Sequence, residues 1–196
     1  IRPGWGLVRR NVLRIAELVG NMLSYVRQTP VEHDKIDLSA IAFQVCEEIE
    51  ERATRMETLI SSDLEDDLYV AGHESSLHDA ILNLMTNALD AVSKEQERLI
   101  LITAHRVDGH AVLSVEDSGP GVDEEMRSKI FDLFFTTKGS GGTGIGLAVT
   151  RKTIEEHGGQ IWVDPAADGN GAAFTFKLPL YGGQEEKEPE TGEAAL

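Results

Sequence analysis

The feature that most constrains this chain is a glycine-rich stretch. Residues 118–143 carry no helix or strand periodicity, and glycine recurs there and just beyond at Gly119, Gly121, Gly139, Gly141, Gly142, Gly144 and Gly146. A loop this long inside a compact domain is uncommon and usually functional. Its end, Lys138 to Leu147, runs straight into an apolar-periodic segment. Glycines ahead of a helix expose backbone N–H groups, and a helix N-terminus favours anions. With Lys138 as a mobile cation, the segment reads as a phosphate cradle. Gly139, Gly141 and Gly144 also fit Gly-x-Gly-x-x-Gly, with Asp164 twenty residues on. A dinucleotide fold does not follow, because only about 50 residues come after Gly144 and no βαβ unit opens the chain. The Gly-x-x-x-x-Gly-Lys-Ser/Thr pattern of a P-loop is missing from the sequence.

The remaining chain divides by periodicity. Val8, Val12, Ile15, Val19, Met22 and Val26 alternate spacings of four and three, predicting a helix over 7–28. Its apolar seam needs a partner, either its own domain or another helix. Pro30 ends it. A short strand is expected around Lys35–Ile36, then a helix to about Met56 with Ile41, Val45, Ile49 and Ala53 inward, capped by Asp37 or Ser39. Strands follow at Thr58–Ile60 and Leu68–Val70, and a helix at 74–93. Two strands, Arg98–Arg106 and Ala111–Glu116, join at Asp108-Gly109. A helix over 144–157 ends at Gly158-Gly159, and Gln160–Asp164 and Ala172–Leu178 close as a hairpin. Helices and strands mix without βαβ alternation. The expected fold is α+β, a two-layer sandwich with a mixed sheet covered on one face by helices. The expected domains are a helical segment 1–30, a globular domain 31–181 and a disordered acidic tail 182–196, which holds five Glu and one Lys.

Charge narrows the function. The chain has 18 Lys+Arg against 34 Asp+Glu, a net −16, which argues against nucleic acid or anionic membrane as a partner. A small anion held by backbone N–H groups stays compatible with that charge. The single cysteine, Cys46, excludes an intramolecular disulfide framework and is expected as a small buried residue. No apolar run reaches the ~18 residues of a membrane span, and no signal peptide is visible. The chain opens on Ile1, the expected mark of a piece excised from something longer.

Two further elements bear on chemistry. Asn83 and Asn87 lie four apart on the predicted third helix, opposite Ile81, Leu84, Ala88 and Ala91. Asparagine is a poor helix former, so the stripe reads either as amide oxygens gathered for a hard cation such as Mg²⁺ or as a solvated face. Asp117-Ser118-Gly119-Pro120-Gly121 follows a strand. It reads either as a carboxylate beside glycines that admit a flat ligand or as a plain turn.

In this order and spacing the elements resemble the ATP-binding catalytic domain of sensor histidine kinases, in the superfamily that includes DNA gyrase, heat-shock protein 90 and MutL. Asn83 to Ala91 resembles the N box and Asp117 to Gly121 the first glycine box. Phe131-Asp132-Leu133-Phe134-Phe135-Thr136-Thr137-Lys138 resembles the F box, of the nitrogen-regulation type. Gly142 to Leu147 resembles the second glycine box. Asn11 to Arg27 is similar to the second helix of the dimerisation and phosphoacceptor hairpin.

The resemblance implies an ATP site. Asp117 would bind the adenine amine, with Gly119, Gly121 and Val122 around the base. Asn87 would ligate Mg²⁺, with Asn83, Asp90 and Ala91 nearby. Lys138, Thr143, Gly144, Ile145, Gly146 and Leu147 would hold the phosphates. Residues 118–143 would form an ATP lid anchored by Phe131 and Phe134. Asn83, Asn87 and Lys138 would carry the catalysis. The implied partners are ATP, a response-regulator receiver domain, the phosphoacceptor hairpin and a second copy of the parent protein, with a cytoplasmic location and a parent that can be membrane-anchored.

Asn83 discriminates within that superfamily. The hydrolysing relatives carry a Glu there, and an amide cannot act as a general base. A kinase that phosphorylates histidine is therefore favoured over an ATPase of the same fold or a non-catalytic nucleotide sensor. The sequence departs from the family in two ways. Ala172 and Ala173 follow Gly171 where relatives carry a hydroxyl, and none of the six histidines fits the phosphoacceptor pattern. His33 lies beyond Pro30, His78 is on the N-box helix, and His157 suits a helix C-terminus. His73, His105 and His110 are expected at the surface. The acceptor is expected to have been lost with sequence before Ile1.

Overall fold

A computed structural model describes Val12 and residues 34–137, 142–167 and 169–182. The helix expected over 7–28 (Val12 apart), Lys138 to Gly141 and residues 183–196 of the expected tail lie outside the described residues.

The chain enters through β1 (Asp34–Asp37) and α1 (Leu38–Arg55). Asp37 caps α1, its carboxylate accepting from the N–H groups of Ser39 at 3.0 Å and Ala40 at 3.2 Å. Two of the helix's orphan donors are thereby satisfied. The Ser39 hydroxyl is used elsewhere, donating to the Glu65 carbonyl at 2.6 Å. Ile41, Val45, Ile49 and Ala53 all face inward and are buried. Cys46 is only half-buried, against the core's edge, and not enclosed as expected. It lies one residue past Val45, so the 100° step per residue turns it off the inward stripe.

Next come β2 (Leu59–Leu64), β3 (Tyr69–Gly72), α2 (Glu74–Val92), β4 (Leu99–Val107) and β5 (His110–Asp117). Both β2 and β3 run further than the short apolar runs suggested, because register is set by neighbours. β2 continues beside β4 as far as Leu64↔Ala104, through Ser61, Ser62 and Asp63. The turn between β4 and β5 is Asp108-Gly109, with φ of 47° and 76°. Positive φ at both positions matches the twist of a two-residue hairpin. After the long loop, α3 (Gly146–Glu156) leads to β6 (Gln160–Pro165) and β7 (Ala172–Pro179). Gly158, at φ +73°, terminates α3 in the left-handed conformation.

Five strands form one sheet in the order β2-β4-β5-β7-β6, with β2 parallel to β4 and the other pairs antiparallel. A two-stranded sheet pairs β1 with β3. Burial alternates along the central strands. Ile100, Ile102, Ala104, Ala111, Leu113 and Val115 are buried, whereas Leu99 and Leu101 are exposed. One face therefore packs against the helices and the other is open, where Ser114 and Thr175 share a hydrogen bond of 2.8 Å. This is the expected α+β sandwich, with three α-helices among the described residues. No described helix is long and apolar enough to cross a membrane.

The core lies between the sheet and α1–α3, with Phe176, Leu77, Ile81, Leu84, Met85 and Leu89 fully enclosed. Because α2 is buried along one side, the side that carries Asn83, Asn87 and Asp90 is left to face the end of α3. α2 and the start of α3 together therefore position the site.

Candidate nucleotide site

A cleft of about 450 Å³ opens between α2, the N-terminus of α3 and the loop that joins β5 to α3. Asn83, Thr86, Asn87 and Asp90 line it from α2, and Gly142, Thr143, Gly144, Gly146 and Leu147 from the approach to α3. Ile130, Phe135, Thr136 and Thr137 close it from the loop, and Arg52 reaches in from α1. Of the residues expected here, Asn83, Asn87, Asp90, Thr143, Gly144, Gly146 and Leu147 come together. Lys138 lies outside the described residues, between Thr137 and Gly142.

Asn83 ties the two helices. Its Nδ2 donates to the buried Thr150 Oγ1 at 2.9 Å, fixing the amide so that Oδ1 faces the start of α3. A Cβ on Gly146 would stand 2.4 Å from that oxygen. Only glycine lets the first turn of α3 approach this closely. Gly144, at φ +66°, is equally enforced, because a Cβ there would meet the Phe134 backbone at 2.5 Å. Among the described residues no side chain caps α3 at Ile145. Thr143 Oγ1 sits 3.4 Å from the Ile145 nitrogen. The first N–H groups of an eleven-residue helix thus point toward the cleft, the arrangement that binds anions.

Asp117, Gly119, Gly121, Val122, Ala91 and Ile145 lie outside this cleft's lining. Asp117 ends β5 with its carboxylate buried, 3 % exposed, and Oδ1 accepts the Gly119 N–H at 2.9 Å. A Cβ on Gly119 would fall 2.6 Å from that carboxylate and 2.9 Å from Ala91 Cβ. Gly119 thus fills the narrow space between Asp117 and α2. Ala91 is half-buried here, not part of the enclosed face of α2 as expected. Gly121, at φ +75°, packs on the Gly171 carbonyl. Ile145 is buried at the turn into α3.

The loop is fastened differently from expectation. Phe131 is buried and meets Phe174 edge-on, with ring centroids 6.4 Å apart. Phe134 is 66 % exposed and has φ +66°, a conformation rare for a bulky residue. It fastens the loop only through its backbone, its N–H donating to the Gly144 carbonyl at 2.8 Å. The second aromatic anchor is Phe135, which packs on the core and lines the cleft.

Arg52 was invisible to sequence reasoning, which read α1 only as a core helix. Its Nη2 donates to Asp90 Oδ1 at 2.8 Å. The signal available was Asp90 itself, an acid aligned with two cleft-facing amides and in need of a partner.

The described histidines have structural partners. His157 is buried, its Nε2 accepting the His73 N–H at 3.0 Å and its Nδ1 lying 2.7 Å from the Thr153 carbonyl. His78 Nε2 is 3.2 Å from Glu48, and His105 Nε2 is 3.3 Å from Asp63. His73, His105 and His110 are half-buried rather than fully at the surface.

The fit to a nucleotide with a divalent ion rests on the donors. Amide oxygens, helix N–H groups and glycines with no room for a side chain suit phosphate and a hard cation that keeps its waters. No cluster of three His, Cys, Asp or Glu able to cage a metal occurs among the described residues.

Known proteins share this arrangement. Residues 72–182 match the pattern described as Histidine kinase-, DNA gyrase B-, and HSP90-like ATPase. The chain is 35% identical over 160 residues to the adaptive-response sensory kinase SasA of Synechococcus sp. (strain CC9311), covering 79% of this chain and 41% of that protein. It is 30% identical to the sensor histidine kinase ZraS of Klebsiella oxytoca, covering 93% and 39%. The chain thus spans about two-fifths of the length of these curated relatives. Among solved structures, the nucleotide-free catalytic domain of histidine kinase ThkA is 34% identical with a TM-score of 0.67, covering 76% of this chain and 97% of that one. Full-length ShkA in complex with AMPPNP gives 27% identity and a TM-score of 0.77, covering 91% and 38%. ThkA in complex with its response regulator TrrA gives 29% and 0.75, covering 89% and 50%.

Proposed function

The chain belongs to the family of histidine kinase-, DNA gyrase B- and HSP90-like ATPases, as a sensor-histidine-kinase ATP-binding domain, and we propose that it binds ATP with Mg²⁺ and directs the γ-phosphate to a histidine outside this sequence. The observation that carries the reading is the meeting of Asn83, Asn87 and the glycine-enforced N-terminus of α3 in one cleft. The AMPPNP bound to ShkA supports the nucleotide. The TrrA bound to ThkA supports a receiver domain as downstream partner.

The residues divide the work. Asp117 accepts from the adenine amine, with Gly119, Gly121 and Val122 around the base. The N–H groups of Gly144 and Gly146, with Thr143, Ile145, Leu147 and Lys138, hold phosphate oxygens. Asn87 offers its amide oxygen to Mg²⁺, and the ion when bound neutralises phosphate charge. Asn83 fixes α3 against α2 and, being an amide, takes no proton from water, which favours transfer to a histidine over hydrolysis. Positioning and charge stabilisation are what phosphoryl transfer requires of a protein. The domain is residues 31–181. The parent acts as a homodimer in the cytoplasm, its phosphoacceptor hairpin including residues 1–30. None of the six histidines fits the acceptor pattern: His33 follows Pro30, His78 sits on α2, and His157 is buried at the end of α3.

Titration with ATP·Mg²⁺ should show saturable binding that Asp117→Asn abolishes at millimolar nucleotide. Incubation with γ-labelled ATP should leave the chain unlabelled while a supplied phosphoacceptor hairpin becomes labelled. Steady phosphate release without a hairpin would instead support an ATPase.

A further inference from the structure

Arg52 is the one lysine or arginine among the described residues that lines the cleft. It comes from the last turn of α1, an element with no other residue in the lining. Across from it, Asp90 follows Asn83 and Asn87 on the polar face of α2, at the i+3 position after Asn87. A carboxylate here would repel the polyphosphate that the neighbouring helix N-terminus attracts. The ion pair with Arg52 answers that repulsion. One donor of the guanidinium serves Asp90, and the planar fork carries five. Bonded to Asp90 through Nη2, the fork keeps other donors for the cleft that it lines, and a planar fork suits phosphate oxygens.

We propose that Arg52 is a nucleotide-binding residue, donating to the polyphosphate from α1 while Asp90 orients it. The inference rests on the ATP reading of this cleft. It adds a cation that does not depend on Lys138 and gives Asp90 a role other than contact with the ligand.

The test compares ATP·Mg²⁺ with adenosine, which lacks the phosphates, using calorimetry on the full chain. Arg52→Ala should weaken ATP·Mg²⁺ about tenfold or more and leave adenosine within twofold. Arg52→Lys should recover part of the loss. Removing the uncompensated carboxylate in Arg52→Ala/Asp90→Ala should also restore part of it. If Arg52 only braced α1 against α2, both ligands would weaken equally and the melting temperature would fall in step, and that outcome overturns the proposal. Unchanged ATP affinity in Arg52→Ala, with the parent chain binding normally, overturns it while sparing the ATP reading. Failure of the parent chain to bind either ligand overturns both.

Discussion

At the scale of single residues, several contacts admit one side chain and no other. Gly171 has φ +107°, and a Cβ there would stand 1.8 Å from the Asp117 carbonyl oxygen. That carbonyl belongs to the strand end that carries the buried carboxylate, so the glycine sets how closely β7 follows β5 beside the site. Gly171→Ala should therefore destabilise the fold by about 4 kcal/mol, in the range of strained or overpacked positions. Gly109 also has positive φ, +76°, but nothing lies within 4 Å of its would-be Cβ. Gly109→Ala should cost only about 1–2 kcal/mol. Chemical denaturation of the two variants separates the steric from the conformational cost, and equal losses would contradict this account. Cys46 offers a second check. Partial burial pushes its thiol above the ordinary cysteine value. The thiolate is the reactive form, so alkylation at pH 7 should be slower in the folded than in the denatured chain. The folded rate should climb as pH rises past that ordinary value.

At the scale of elements, aromatic anchoring decides how the β5–α3 loop meets the core. Phe131→Ala removes a buried ring and its edge contact with Phe174, and should cost about 3 kcal/mol. Phe134→Ala removes a ring that faces solvent and should leave the melting temperature nearly unchanged. Thermal denaturation of both variants tests this, and a larger loss at Phe134 would restore the anchor the family resemblance implied. The contrast marks where sequence was legible. Helix faces follow from periodicity, so the inward residues of α1 and most of those of α2 were readable, as were the Asp108-Gly109 turn and the Gly158 stop. Three adjacent aromatic or apolar residues in a loop carry no periodicity. Which of them points inward depends on one positive φ, at Phe134, fixed by the carbonyl of Gly144 ten residues away. Arg52 escaped for a related reason. Its partner Asp90 lies on another helix, and a cation in the last turn of α1 already satisfies the helix dipole without any cleft to serve.

At the scale of the whole molecule, the site must work against the protein's own charge. The net −16 produces a repulsive field for ATP·Mg²⁺, which is also an anion. The attractive groups, among them the N–H groups of α3, Arg52, Lys138 and any divalent ion, act only over the last few ångströms. At an ionic strength of ~0.01 M the screening length is ~30 Å, comparable with the size of a domain, and an approaching nucleotide meets most of the chain's charges. At ~0.15 M it is ~8 Å, and the nucleotide meets mainly the cleft. The association rate constant should therefore rise with salt over this interval, by roughly threefold, opposite to the behaviour of a basic protein that steers its anionic ligand. Dissociation is governed by the contacts inside the cleft and should not mirror that rise. Stopped-flow mixing with a fluorescent ATP analogue at fixed free Mg²⁺ separates the two constants. An association rate that falls with salt would mean that a local positive field outweighs the net charge even at a distance. In that case Arg52→Ala should reverse the trend, because it deletes the one cation that the described cleft presents.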